Sequence, residues 1–138
     1  MPEHALPGHR RTWGFRLSVT DVVFVLLAIP ATWLVYPHIG MLAGVIPMAV
    51  GHFFLFCNVF RIIRWKELLW TAVFLVNVFC WSINTTDSFL WWFGILAIQT
   101  PLTVFFITTE LFTRRYHGVW ARRLNIHLDD YLAGKEIP

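Results

Sequence analysis

Charge is scarce in this chain. Charged residues make up 14% of the 138, hydrophobic ones 57%, and the mean hydropathy is +0.60. That balance excludes an ordinary soluble domain, where about a quarter of the residues are charged. Cysteine is nearly absent: two residues, Cys57 and Cys80, do not make a disulfide framework. Their depths also differ, ~6 Å and ~20 Å from the inner boundary at ~1.5 Å per helical residue, so free thiols are expected. The sequence has no Cys-x-x-Cys, HExxH or GxSxG and no multi-histidine box. Dithiol redox, zinc-hydrolase and acyl-transfer chemistries, and iron held by a multi-histidine box as in membrane desaturases, therefore have no legible residues. No pair of carboxylates falls inside an apolar run.

What the chain has instead is long apolar runs, four of them, against the ~20 residues a helix needs to cross the hydrocarbon. The expected spans are 17–36, 40–60, 67–84 and 88–112. Continuous rather than alternating hydrophobicity favours helices over a barrel, because a helix satisfies its own backbone polar groups in lipid. Short connections make neighbouring helices antiparallel. The expectation is an all-α integral membrane protein, an up-down-up-down four-helix bundle. It divides into an N-terminal arm (1–16), a transmembrane domain (17–112) and a C-terminal tail (113–138).

The 11 basic residues are segregated. Arg10, Arg11 and Arg16 precede the first span, Arg61, Arg64 and Lys66 join the second and third, and Arg114, Arg115, Arg122, Arg123 and Lys135 follow the fourth. The opposite connections, around His38 and around residues 85–87, carry neither Lys nor Arg. By the positive-inside rule both termini are cytoplasmic, in a bacterial inner membrane or its equivalent. The net charge of +3 and pI near 9.2 thus point to anionic headgroups and not to nucleic acid. Trp33, Trp81, Trp91 and Trp92 fall toward the outer ends and Trp13, Trp65, Trp70 and Trp120 toward the inner ones, which reads as an aromatic belt.

Pro30, Pro47 and Pro101 lie within spans and leave the carbonyls of Leu26, Ala43 and Ala97 without their amides. Gly40, Gly44, Pro47 and Gly51 form a ridge of small residues expected to let another backbone approach. Thr86 or Asp87 is expected to cap the fourth helix, although Asn84-Thr85-Thr86 also fits a glycosylation sequon. In the tail, Trp120, Leu124, Leu128, Tyr131 and Leu132 recur at helical spacing. They predict a short amphipathic helix at the inner interface, docked on lipid or on a partner subunit.

Helix phase and depth bring the scattered polar residues together. His52 lies ~14 Å from the inner boundary, Asn77 and Thr103 ~16 Å, and Gln99 ~22 Å. A mid-membrane cluster of His52, Asn77, Gln99 and Thr103 reads first as interhelical hydrogen bonding. His52 is also a candidate ligand for haem or a pigment, or a proton carrier, since a neutral imidazole suits both. At the inner boundary Asp21, Glu67 and Glu110 share a depth with Arg61, Arg64 and Arg114, which reads as interfacial ion pairing.

The first span lacks the central glutamate of small multidrug transporters, its Asp21 lying near the inner end. The paired cysteines of quinone-linked disulfide-forming enzymes are also missing. With no catalytic residues and no metal site legible, the leading reading is a non-catalytic accessory or scaffold subunit. It would contact the lipid bilayer and other membrane subunits, or further copies of itself. The alternatives are a haem-, quinone- or pigment-binding component with His52 at the cofactor, and a small transporter or channel along the polar layer.

Overall fold

The computed structural model describes residues 12–84 and 87–135. Arg10 and Arg11 of the arm, and Thr85 and Thr86 of the sequon, lie outside the described residues. Among those described, all regular structure is helical: α1 (Val19–Ile39), a 3₁₀ turn (Gly40–Gly44), α2 (Val45–Phe54), a π turn (Leu55–Phe60), α3 (Arg64–Asn84), α4 (Ser88–Leu111), α5 (Ala121–Leu124) and α6 (Leu128–Leu132). Three helical stretches are long and apolar enough to cross a membrane: Val19–Phe60 taken as one run, Arg64–Asn84 and Phe89–Leu111.

Local chemistry explains where these helices start and stop. At α1, Ser18 Oγ accepts from the Thr20 amide while the Asp21 carboxylate accepts from the Ser18 amide at 2.9 Å, a reciprocal capping box. Asp87 caps α4, its Oδ1 accepting from the amides of Phe89 and Leu90 at 2.9 and 3.0 Å. The long first run breaks at Gly40, whose φ of 55° and ψ of −132° no side-chain-bearing residue adopts easily. Beyond it α1 packs against α2, and the Arg16 amide donates to the Asn58 carbonyl at 3.1 Å. Pro47 falls in the first turn of α2, just after the 3₁₀ turn, where a missing amide costs least.

The core sits between α3, α4 and the π turn that follows α2. Phe56, Ile62, Trp70, Phe74, Trp91, Ile95 and Phe106 form it. In a lipid surround their contribution is close van der Waals packing between helices and not removal of apolar area from water. Helix α1 contributes one buried residue, Ala28, while Val19, Phe24, Leu26, Trp33 and Leu34 point outward. Such a surface suits lipid contact.

Three sequence expectations change. The glycine ridge brings no backbone close: a Cβ on Gly40 or Gly51 would meet nothing within 4 Å, and Gly44 instead seats the Trp92 ring. The tryptophans are not a uniform belt, since Trp70 and Trp91 are core residues and Trp81 lies against Gly94. The tail is not one amphipathic helix. Trp120 adopts a left-handed φ of 70°, and Asn125 breaks the run by donating to the carbonyls of Arg114 and Tyr116, both at 2.8 Å. Two helices of four and five residues result. Tyr116, Ala121 and Leu128 close a second small core against Phe60 and Leu111. Gly118 lets this tail approach, because a Cβ there would lie 2.6 Å from the Phe60 carbonyl oxygen.

Candidate functional site

Two groups of polar side chains stand out, one midway along the helices and one at their basic end. In the first, Trp70 is the hub. Its Nε1 donates to Thr103 Oγ1 at 2.8 Å, and Thr103 donates in turn to the Gln99 carbonyl at 2.7 Å. Gln99 Nε2 reaches the Trp70 carbonyl at 3.4 Å, and Asn77 Nδ2 donates to the Ile95 carbonyl at 3.2 Å. Asn77 Oδ1 and Gln99 Oε1 are buried and accept no hydrogen bond among the described residues. Each such unpaired acceptor costs about 1–3 kcal/mol.

His52 joins this group through its ring and not through a hydrogen bond. The imidazole stacks on Trp70 with centroids 4.6 Å apart and planes 21° apart. Its Nδ1 lies 2.9 Å from the Met48 carbonyl one turn back on its own helix. Because a carbonyl only accepts, Nδ1 carries the proton there, and in the neutral ring Nε2 carries the lone pair. Asn77, Gln99 and Thr103 are thus bound to α3 and α4 partners, with His52 laid over the indole between them.

At the basic end a cavity of about 820 Å³ opens among the helix termini and the tail. Five cationic side chains line it, Arg16, Arg61, Arg64, Arg115 and Lys135, with two carboxylates, Glu67 and Glu110. Both carboxylates are occupied. Glu110 Oε2 holds Lys66 Nζ at 2.7 Å, which also donates to Thr109 Oγ1 at 3.1 Å. Glu67 Oε1 accepts from the Cys57 thiol at 2.8 Å. Lys135 pairs with Asp130 at 2.9 Å, which holds the Asp130 carboxyl below its ordinary range and the Lys135 amine above its own. No ion pair forms at Arg16, Arg61, Arg64 or Arg115 among the described residues.

Arg61 shows how the fold holds that charge. It ends the π turn in the left-handed region, φ 50° and ψ 49°, where a helix usually places glycine. A non-glycine residue there costs of order 1 kcal/mol and persists where surrounding structure requires it. The Arg61 guanidinium donates to the Thr12 carbonyl. Burial, and then the neighbouring Arg16, pull its pKa below the ordinary arginine value.

Of the charges expected at the inner boundary, Arg61, Arg64, Glu67 and Glu110 line this cavity. Arg114 lies beside it in the tail, where its carbonyl accepts from Asn125. Asp21 serves elsewhere: besides capping α1, its Oδ2 faces Asn58, whose amide, assigned so that nitrogen meets both acceptors, donates to Asp21 Oδ2 at 2.9 Å and to the Arg16 carbonyl at 2.7 Å. Sequence reasoning missed Trp70 as the hub, Lys66 as the partner of Glu110, and Cys57 as the partner of Glu67. The i, i+4 spacing of Gln99 and Thr103 was the usable signal for the first, and the shared depth of Lys66 and Glu110 for the second. Comparison of the chain with protein-family models, curated proteins and solved structures gives no match.

Proposed function

We propose that this chain is a non-catalytic integral membrane protein, an accessory subunit that holds an anionic group at its basic face. The observation that carries this reading is the charge of the cavity: four arginines outside any described ion pair, beside two carboxylates already engaged by Lys66 and Cys57. Clustered cations in a concave, partly desolvated site favour an anion over water and salt.

The reading includes four crossings. As one straight helix the 42-residue run Val19–Phe60 would reach ~63 Å, about twice the hydrocarbon thickness. The Arg16 to Asn58 bond, joining residues at its two ends, supports a hairpin that crosses twice. With α3 and α4 this makes an up-down-up-down bundle. The basic cavity, between the ends of the spans, then faces the cytoplasm together with both termini.

The test is native mass spectrometry of the full chain released from nanodiscs made with mixed neutral and anionic lipid, after crosslinking in the native membrane. A retained anionic ligand and a crosslinked membrane partner are expected. A bare monomer with neither would overturn the reading.

A second reading has its own observation. The Nδ1 bond to Met48 directs the His52 Nε2 lone pair away from its own helix, the arrangement that metal-ligating histidines use. A haem or pigment bound there would give the purified protein an absorption band, and that band should disappear in His52→Ala. A colourless native-membrane preparation would remove this reading.

A further inference from the structure

The basic cavity shares one wall residue, Phe53, with a second, apolar groove. Phe53 is 52% exposed, and the groove, of about 380 Å³, lies between α1 and α2. Phe24, Val25, Ala49, Val50 and Phe54 give that groove apolar walls. Its two polar residues, Asp21 and Asn58, face one another across 2.9 Å, so the walls a ligand meets are mostly carbon. Ala49 and Asn58 lie near its limits, a helical separation of ~14 Å, which matches half of a ~30 Å hydrocarbon core, the depth of one leaflet.

A charged basin and a leaflet-deep apolar groove that meet at one aromatic ring are complementary to an amphiphile. Free phosphate would use the arginines and leave the groove to bulk lipid. A neutral hydrocarbon would use the groove and leave the arginines facing one another, with the Arg61 pKa already lowered by burial and then by Arg16. Only a molecule with both parts satisfies both surfaces.

Resting on the anion-holding reading above, we infer that the ligand is a phosphate headgroup carrying an apolar chain, the phosphate held among Arg16, Arg61, Arg64 and Arg115 and the chain laid past Phe53 into the groove between α1 and α2. Arginine suits this role because its planar fork donates two parallel hydrogen bonds to phosphate oxygens. Arg64 and Arg115, both exposed, stand at the rim where a headgroup enters from the bilayer surface.

The experiment uses the full chain in nonionic detergent, with equilibrium binding of three probes: short-chain phosphatidic acid, short-chain phosphatidylcholine and inorganic phosphate. Phosphatidic acid is expected to bind at least about tenfold tighter than either of the others. The exposed double variant Arg64→Gln/Arg115→Gln should weaken phosphatidic acid by about tenfold or more. Val25→Trp, which fills the groove, should weaken phosphatidic acid and leave inorganic phosphate unchanged.

If inorganic phosphate binds as tightly as phosphatidic acid, or Val25→Trp changes nothing, the chain-bearing ligand is overturned while the anion site stands. If phosphatidylcholine equals phosphatidic acid, or no anion binds, the anion-holding reading falls with it. The comparison of probes on the unaltered protein decides the matter even where a variant fails to fold.

Discussion

Lys66 Nζ lies 2.7 Å from Glu110 Oε2, and each side chain is 10% exposed, so α3 and α4 are joined at their basic ends by a nearly dry ion pair. Such a pair contributes modestly when whole and is costly when halved, because the remaining charge loses water and partner together. Lys66→Met or Glu110→Leu alone should therefore destabilise the protein by roughly 3–5 kcal/mol. The double variant should recover most of that loss. Thermal or denaturant unfolding in mild detergent, arranged as a double-mutant cycle, measures the difference; equal losses in the single and double variants would contradict it.

The glycines separate into two kinds. A Cβ on Gly94 would lie 2.0 Å from Trp81 Cε2, and one on Gly44 would lie 2.5 Å from Trp92 Cζ2. Gly94→Ala should thus shift the indole and lower stability by about 1–3 kcal/mol. Gly51, with nothing within 4 Å, should accept alanine with a gain of up to about 1 kcal/mol from helix propensity. Melting temperatures of the two alanine variants that move the same way would be inconsistent with this packing.

Thr103 tests the indole hub. Thr103→Val keeps the shape and removes the oxygen that accepts from Trp70 Nε1. The buried indole N–H is then stranded, at a cost of about 1–3 kcal/mol. The Trp70→Phe/Thr103→Val double variant should be less destabilised than the sum of the single changes. Additive losses would show that the two side chains do not interact.

Alkaline pH should act through Tyr116. Burial, and secondarily the Glu110 carboxylate, push its phenol up to about 12, whereas an unfolded tyrosine ionises near ~10. The proton is held more tightly in the folded chain, so this stabilisation is complete below pH ~10 and is lost as pH rises from ~10 toward the folded value. Tyr116→Phe should flatten that alkaline loss. At neutral pH it should lower stability by about 1 kcal/mol, because the hydroxyl donates to the Val119 carbonyl. Unfolding profiles of both proteins from neutral pH to pH ~11 give the comparison; parallel curves would exclude Tyr116 as the source.

The sequence revealed extents better than orientations. The helical path of residues 40–60, the start of the fourth helix and its Asp87 cap all follow from apolar runs, glycine and a capping carboxylate. The placement of Trp70 does not, because a helix apolar on every face hides which side meets its neighbour, and an indole suits a lipid interface as well as a core. His52 was readable by depth but not by contact: its hydrogen bond returns to Met48, while its ring meets Trp70 from another helix. In the tail the periodicity was present, yet two side-chain bonds from Asn125 outweigh it locally. Depth did bring Arg61, Arg64, Glu67 and Glu110 to the same end of the helices. It could not show that the carboxylates would choose Lys66 and Cys57, leaving Arg61 and Arg64 outside ion pairs among the described residues.

The basic end is stitched by three main-chain bonds: Gly14 amide to His117 carbonyl, Arg16 amide to Asn58 carbonyl, and Val119 amide to Val59 carbonyl. Two of them require a partner from the tail, which a ribosome delivers after every apolar helix has emerged. During synthesis the Gly14 amide and the Val59 carbonyl therefore lack these partners until His117 and Val119 have emerged. The basin lined by Arg16, Arg61, Arg64 and Arg115 therefore has all its walls only once the residues that follow α4 have been made.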